Sequence, residues 1–290
     1  MKLLATSDIH QSQSKWKALV KATKEEKPDV VAIAGDLFPH NNGILREHEF
    51  LIHLKKYAKQ IQKTGAELVL TLGNDDNQLL IPEMEKGEED GLWHYVHGKV
   101  FEKDGYEFIG MAYVPDYPFG YKFWCHPEFL MEFVFDDDLG ISEFQITSPV
   151  IINEDNEFEI VEDYEEYMKG KQSIYNALCD YNFLLKDAKK SIWLIHAPPA
   201  DLFLDVCASG EKVGSKAIYQ FLNKFQPMLS IHGHIHESPE YNEHKWNHLL
   251  GDTLCIQGGQ IGRDLHYSVV EIEDGEIKSK EHSIYGKYST

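Results

Sequence analysis

Apolar residues recur along the chain with two different periods. Short apolar runs at 2–6, 30–34, 67–72, 192–195, 228–231 and 253–256 have the length and β-branched content of buried strands. Between them lie stretches with helical spacing. Trp16, Leu19, Val20 and Thr23 share one face, with Pro28 just beyond. Leu51, Leu54, Ala58 and Ile61 share another, with Gly65 as a candidate C-cap. A helix over 215–225 starts at Ser215, a good N-cap, and turns Ile218, Leu222 and Phe225 inward. Asp104-Gly105 separates 100–101 from 108–112, and Asp274-Gly275 separates 267–272 from 277–282; both pairs predict hairpins. Strands alternating with helices predict an α/β chain.

The pattern changes over 113–190, which reads as an insertion into one large domain spanning 1–290. It opens with Tyr113, Tyr117, Phe119, Tyr121, Phe123 and Trp124. Segment 131–167 holds thirteen acidic residues and neither Lys nor Arg. Within it, 146–152 and 158–161 are expected to pair across Asn153–Asn156, with Pro149 confining the first to an edge. A helix is expected over 172–189, with Ile174, Leu178, Tyr181 and Leu185 on one face.

With 28 basic and 48 acidic residues, the 290-residue chain carries a formal charge of −20. Such a surface repels a polyanion, which disfavours long nucleic acid as a partner, while a bound metal can locally reverse the field for a small phosphorylated molecule. The four cysteines are scattered without a CxxC pair, and the N-terminus lacks a signal-peptide core. No apolar run approaches the ~20 residues of a membrane span. A cytoplasmic protein is expected.

Five strand runs end in residues that can bind metal. The first is followed by Asp8 and His10, the second by Asp36, the third by Asn74, the fourth by His196. The fifth is followed by Gly233-His234-Ile235-His236, in which two imidazoles on alternate residues point the same way if the segment is extended. A His-x-His in a chain with fifteen histidines can be coincidence. Seven oxygen or nitrogen ligands at five strand ends is far harder to obtain that way, because ligands in α/β sheets bind beyond the carboxyl ends of strands. Two Asp, one Asn and four His, with no thiolate, suit Mn, Fe or Zn, and two such ions about 3.5–4 Å apart can clamp a phosphoryl group.

Asp-x-His, Gly-Asp, Gly-Asn, a lone His and Gly-His-x-His, in that order and each after a strand, resemble the calcineurin-like metallophosphoesterase superfamily. The resemblance covers the chain apart from the insertion, and around His196-Ala197-Pro198-Pro199 and Gly233–Ser238 it is strongest to small bacterial and archaeal phosphoesterases. It implies a four-layer α/β/β/α sandwich and two divalent ions, with Mn the leading candidate. It also implies that Asp8, His10 and His236 hold one ion, Asn74, His196 and His234 the other, and Asp36 bridges them. The implied reaction is in-line attack of a metal-bridging hydroxide on a small phosphate ester or phosphodiester.

The chain departs from that pattern after Gly-Asn, where many members carry a His that contacts phosphate and Asp75 stands here. Asp75 is therefore a catalytic candidate of altered chemistry, because an anionic carboxylate repels phosphate. Asp76 reads equally as an acceptor that orients a ligand histidine or as a turn residue. Where members often have a second Asp, Pro39 is followed by His40, a weaker catalytic candidate. His126 and Arg263 are candidate substrate contacts, although packed or solvated roles are the commoner fate of such residues. His232 is expected to be packed or exposed and not a ligand. Gly258-Gly259 is expected to turn close to the metals. The aromatic stretch either pins the insertion down, the commoner role, or stacks a nucleobase. The acidic segment reads as solvated surface, with a cationic protein partner as the alternative. Two rival functions are a non-catalytic interaction module of the same fold, for which Asp75 and the insertion speak, and a nuclease, against which the charge speaks.

Overall fold

The computed structural model describes residues 1–39, 46–129 and 149–286. His40 and residues 131–148, which include 146–148 of the expected strand and the first part of the acidic stretch, lie outside these residues.

The predicted strand runs form two six-stranded sheets. The first orders β14 (Glu276–His282), β13 (Ser268–Glu273), β1 (Lys2–Thr6), β2 (Val30–Ala34), β3 (Glu67–Thr71) and β4 (His94–Tyr95). The second orders β11 (Asn247–Leu250), β12 (Thr253–Gln257), β10 (Leu229–His232), β9 (Ser191–Ile195), β6 (Tyr106–Met111) and β5 (Phe101–Lys103). In the first sheet β1 to β4 run parallel, and in the second β6, β9, β10 and β12 do. Both predicted hairpins form, with Asp104-Gly105 and Asp274-Gly275 all at positive φ, as a two-residue turn between twisted strands requires.

Alternation within the strands makes the layers. Leu3, Ala5, Val30, Ala32, Ala34 and Val69 face Phe108, Ile192, Leu194, Leu229, Ile231 and Ile256 between the sheets. The other faces of β1 to β3, with Leu4, Val31, Ile33, Leu68 and Leu70, meet α1 (Gln13–Glu26) and α2 (Glu47–Gln62) through Trp16, Leu19, Leu54 and Ile61. On the far side Trp193 packs edge-on to Phe221 of α6 (Lys216–Phe225), with α5 (Ile174–Asn182) beside it. Each such buried side chain contributes roughly 1.5–3 kcal/mol relative to exposure. The result is an α/β/β/α sandwich whose parallel strands direct their carboxyl ends to one edge.

Two expectations need correcting. The helix over 172–189 stops at Asn182, and only a 3-10 turn, Ala188–Lys190, follows. Glu107 at the start of β6 accepts the backbone N–H groups of Lys186 and Asp187, which draws the chain out of the helical path toward the sheet. Helix α3 (Ile81–Glu89) was not anticipated, because Gly87 interrupts it; a Cβ there would lie 1.9 Å from the Trp93 ring. The predicted pairing across 153–156 forms as β7 (Val150–Ile152) with β8 (Phe158–Ile160), followed by α4 (Tyr164–Lys169).

Candidate metal centre

All seven residues expected as ligands meet where the carboxyl ends of β1, β2, β3, β9 and β10 converge. The loops that carry them are bonded to one another. The Asp8 N–H donates to Gly35 O, the His10 N–H to Asp36 O and the Gly233 N–H to His196 O, at 2.8–3.0 Å. Four of the seven, Asp8, His10, Asp36 and His234, have φ between 49° and 72°. Left-handed backbone in non-glycine residues costs energy and clusters at functional sites. His234 is thus not extended, contrary to the expectation of simple strand alternation. The two histidines diverge: His234 Nδ1 lies 2.6 Å from Asn74 Oδ1, while His236 Nε2 lies 3.3 Å from Asp8 Oδ1.

Glycine permits this crowding. A Cβ on Gly233 would sit 2.5 Å from Asp8 Oδ2, and one on Gly73 would sit 2.2 Å from Asp36 Oδ1.

One group comprises Asp8, His10, Asp36 and His236, each offering a ligand atom within 4.8 Å of the others. A second gathers around Asn74, whose Oδ1 is 2.9 Å from His196 Nε2 as well as 2.6 Å from His234 Nδ1. Asp36 lies between, with Oδ2 3.3 Å from His196 Nε2 and 3.9 Å from His10 Nε2.

Proton placement shows that this arrangement fits a cation. His196 Nδ1 is 2.8 Å from Ala34 O, and His10 Nδ1 is 3.2 Å from Phe38 O. A carbonyl only accepts, so in both rings Nδ1 carries the hydrogen and a neutral Nε2 has a lone pair. Those lone pairs face other acceptors: His196 Nε2 meets Asn74 Oδ1 and Asp36, and His10 Nε2 meets His236 Nε2 at 3.4 Å. Imidazole held by a backbone carbonyl and aimed at carboxylates is the arrangement of a metal-binding histidine. Without a metal, protons must take that place: against its burial, Asp36 and Asp8 hold His196 up at about 10, while His196 and His10 draw Asp36 down to about 2. Burial and the neighbouring His196 push His234 down to about 3.

Several supporting residues carry no sequence signal. Ser7 Oγ donates to Asp8 Oδ2 at 2.5 Å. The Gln260 N–H donates to His236 O, which brings the Gly258-Gly259 turn against the site as expected. Buried Lys15 donates to Gln260 O at 2.7 Å. The Tyr117 ring stacks on His234 with centroids 4.3 Å apart. Apart from the Ser7–Asp8 bond, these contacts join residues too far apart in sequence for periodicity to reveal.

The other expected residues are distributed as follows. Asp75 is half-buried; its N–H donates to Asp36 Oδ1, and burial together with the Asp36 charge pushes its carboxyl up to about 7. Asp76 is buried and bonds to backbone. It accepts the N–H groups of Leu37, Phe38 and Gly73 and so ties the Gly-Asp loop to the Gly-Asn loop, which settles its role as that of a loop residue. His126 is packed: its ring stacks on Tyr113 at 3.6 Å and its Nδ1 faces Gln172 O. His232, left open between packed and exposed, is buried against Ile195 O, Ala197 O and Ser230 Oγ. Arg263 is exposed on the loop 258–266.

The profile of the calcineurin-like phosphoesterase family matches residues 1–238. Among solved structures, TT1561 of Thermus thermophilus overlays with a TM-score of 0.58 at 15% identity, covering 98% of each chain. Another overlays with a TM-score of 0.59 at 17% identity, covering 97% of this chain and 98% of its own. At such identities the likeness is one of fold. No curated protein sequence matches. The family typically binds divalent metals, Asp8, His10, Asp36 and His236 form a group able to hold one, and this chain belongs to the calcineurin-like phosphoesterase family.

Proposed function

We propose that the protein is a metal-dependent phosphodiesterase for a small substrate, using two divalent ions. The observation that carries this reading is the pair of carbonyl-tethered imidazoles, His10 and His196, with their Nε2 atoms aimed at Asp8, Asp36 and Asn74. Asp8, His10 and His236 would hold one ion, Asn74, His196 and His234 the other, and Asp36 would serve both. The oxygen and imidazole set suits Mn, with Fe or Zn as the other fits. Bound there, such ions polarise a phosphoryl oxygen and lower the pKa of water toward neutrality.

The chain's own residues set the selectivity. The net charge of −20 discourages a long polyanion and leaves small phosphodiesters and phosphate esters as substrates. No described helix is long and apolar enough to cross a membrane. The free cysteines Cys125, Cys179, Cys207 and Cys255 suit the cytoplasm, where we place the protein. Asp75 occupies the place of the family's phosphate-contacting His, and we assign it a positioning role through Asn74. With no imidazole there to protonate the departing oxygen, esters of acidic alcohols and phenols react fastest. Arg263 stays a candidate substrate contact, and His40 a candidate catalytic residue.

The test is hydrolysis of bis(p-nitrophenyl) phosphate by metal-stripped protein resupplied with Mn. Turnover is expected to depend on Mn and to fall at least 100-fold in Asp36→Asn. Metal binding without turnover under Mn, Fe and Zn would overturn the proposal.

A further inference from the structure

The aromatic stretch that opens the 113–190 connection divides into two parts. Tyr117, Phe123 and Trp124 are buried and pin the connection down; Tyr117 donates its hydroxyl to Val213 O, and Trp124 donates to Asp76 O. Phe119 is different. It is 38% exposed, yet its ring stands edge-on to His234, with centroids 5.6 Å apart. Among the described residues, the rings that meet His234 are Tyr117, Phe119 and His196, and of these only Phe119 is exposed.

The loop is held from behind. Buried Lys122 donates to Asp116 at 2.6 Å and to Tyr117 O at 2.5 Å, and the Val150 N–H donates to Gly120 O at 2.8 Å. Phe119 is therefore carried by a braced segment. His234, which Phe119 meets, is half-buried while Asp8, His10, Asp36 and His196 are buried, so exposed Phe119 stands beside a solvent-accessible member of the cluster.

We propose that Phe119 is a specificity-determining residue that stacks a planar aromatic ester group, aryl or nucleobase, on a phosphoester bound beside His234. This rests on the phosphoesterase reading for the phosphate end of the ligand. Phosphate at the cluster places its ester oxygen at the open rim, where a flat ring meets the exposed Phe119 face and an alkyl group does not. Ring stacking at one aromatic side chain is worth about tenfold in affinity.

The experiment is calorimetric binding of phenyl phosphate and methyl phosphate to the full Mn-loaded chain, for wild type, Phe119→Ala and Phe119→Trp. Wild type should bind phenyl phosphate about tenfold more tightly than methyl phosphate. In Phe119→Ala the ratio should collapse to about one, with unchanged Mn stoichiometry, and Phe119→Trp should restore it. A ratio near one in wild type, or a ratio that survives Phe119→Ala, overturns the proposal. Binding is read separately from turnover: a phenyl preference without hydrolysis of any ester would sink the phosphodiesterase reading and leave stacking standing, and hydrolysis without the preference would do the reverse.

Discussion

The Asn74 amide is set by Asp75. Its Nδ2 donates to Asp75 Oδ1 across 3.0 Å, which leaves Asn74 Oδ1 facing His196 and His234. An amide has one donor end and one acceptor end, so fixing the donor fixes the ligand. Asp75→Ala is expected to free the amide and weaken the Asn74 site by about 10–100-fold, the usual cost of losing such an orienting partner. Titration of metal-free protein with Mn should show one site weakened and the other retained. Equal weakening of both would refute the assignment.

The divergence of His234 and His236 makes a companion prediction. His234 faces Asn74, and His236 faces Asp8 and His10. His234→Ala and His236→Ala should each leave about one Mn per chain, from different sites. Because His10 and Asp8 remain together in His234→Ala, adding His10→Ala to that variant should remove its remaining Mn, while adding it to His236→Ala should not. The same stoichiometry in both double variants would show that both residues serve one ion.

Much of this site could be read from the chain because each ligand follows an apolar run at once, and such runs define strands well. The bounds of β1, β2 and β9 emerge within a residue of their apolar segments. What could not be read depends on contacts without periodicity. Tyr117 meets His234 across 117 positions of sequence, and nothing in either neighbourhood signals the other. The end of α5 is set by the Glu107 carboxylate, about 75 residues upstream, so local spacing overextends the helix. Asp76 reads equally as a ligand-orienting acid and as a turn residue from its position, and only the folded loops show that backbone donors take its oxygens.

Gly233 offers a direct steric test. A methyl group there would overlap Asp8 Oδ2 at 2.5 Å and Ser7 Cβ at 2.7 Å, and both are buried residues of the loop just after β1. Gly233→Ala should lose metal affinity at the Asp8 site and lower stability by about 1–3 kcal/mol, as overpacking does. Calorimetry and denaturant unfolding check the two halves; tight Mn binding with unaltered stability would show that the loop yields freely.

Lys122 is fully buried, and its ammonium bridges Asp116 and Tyr117 O; the Tyr164 hydroxyl also donates to Asp116. Lys122→Met keeps the length of the side chain and removes the charge. It leaves Asp116, whose side chain is 26% exposed, without its cation, at a cost of about 3 kcal/mol. The same change loosens the segment that carries Tyr117 and Phe119 past His234. Thermal unfolding should shift downward, and the fluorescence of Trp124 in this segment should change before the global transition. A single unshifted transition would mean the pair is dispensable.

Glu47 supplies the pH dependence. Burial and the charge of Asp76 push its carboxyl up to about 10, against the Asn77 N–H that donates to it. A carboxyl raised in the folded state is protonated there while the unfolded chain has already lost its proton. Its contribution to stability is full below about 4.5, the unfolded value, and is lost as pH rises toward 10. Glu47→Gln removes that titration. The variant should gain on wild type by up to about 1.4 kcal/mol per pH unit between pH 5 and 9. The comparison belongs in chelator, so that metal binding does not add its own pH dependence. Urea unfolding at three pH values across that window reads the trend, and parallel curves for the two proteins would show that Glu47 is ionised in the fold.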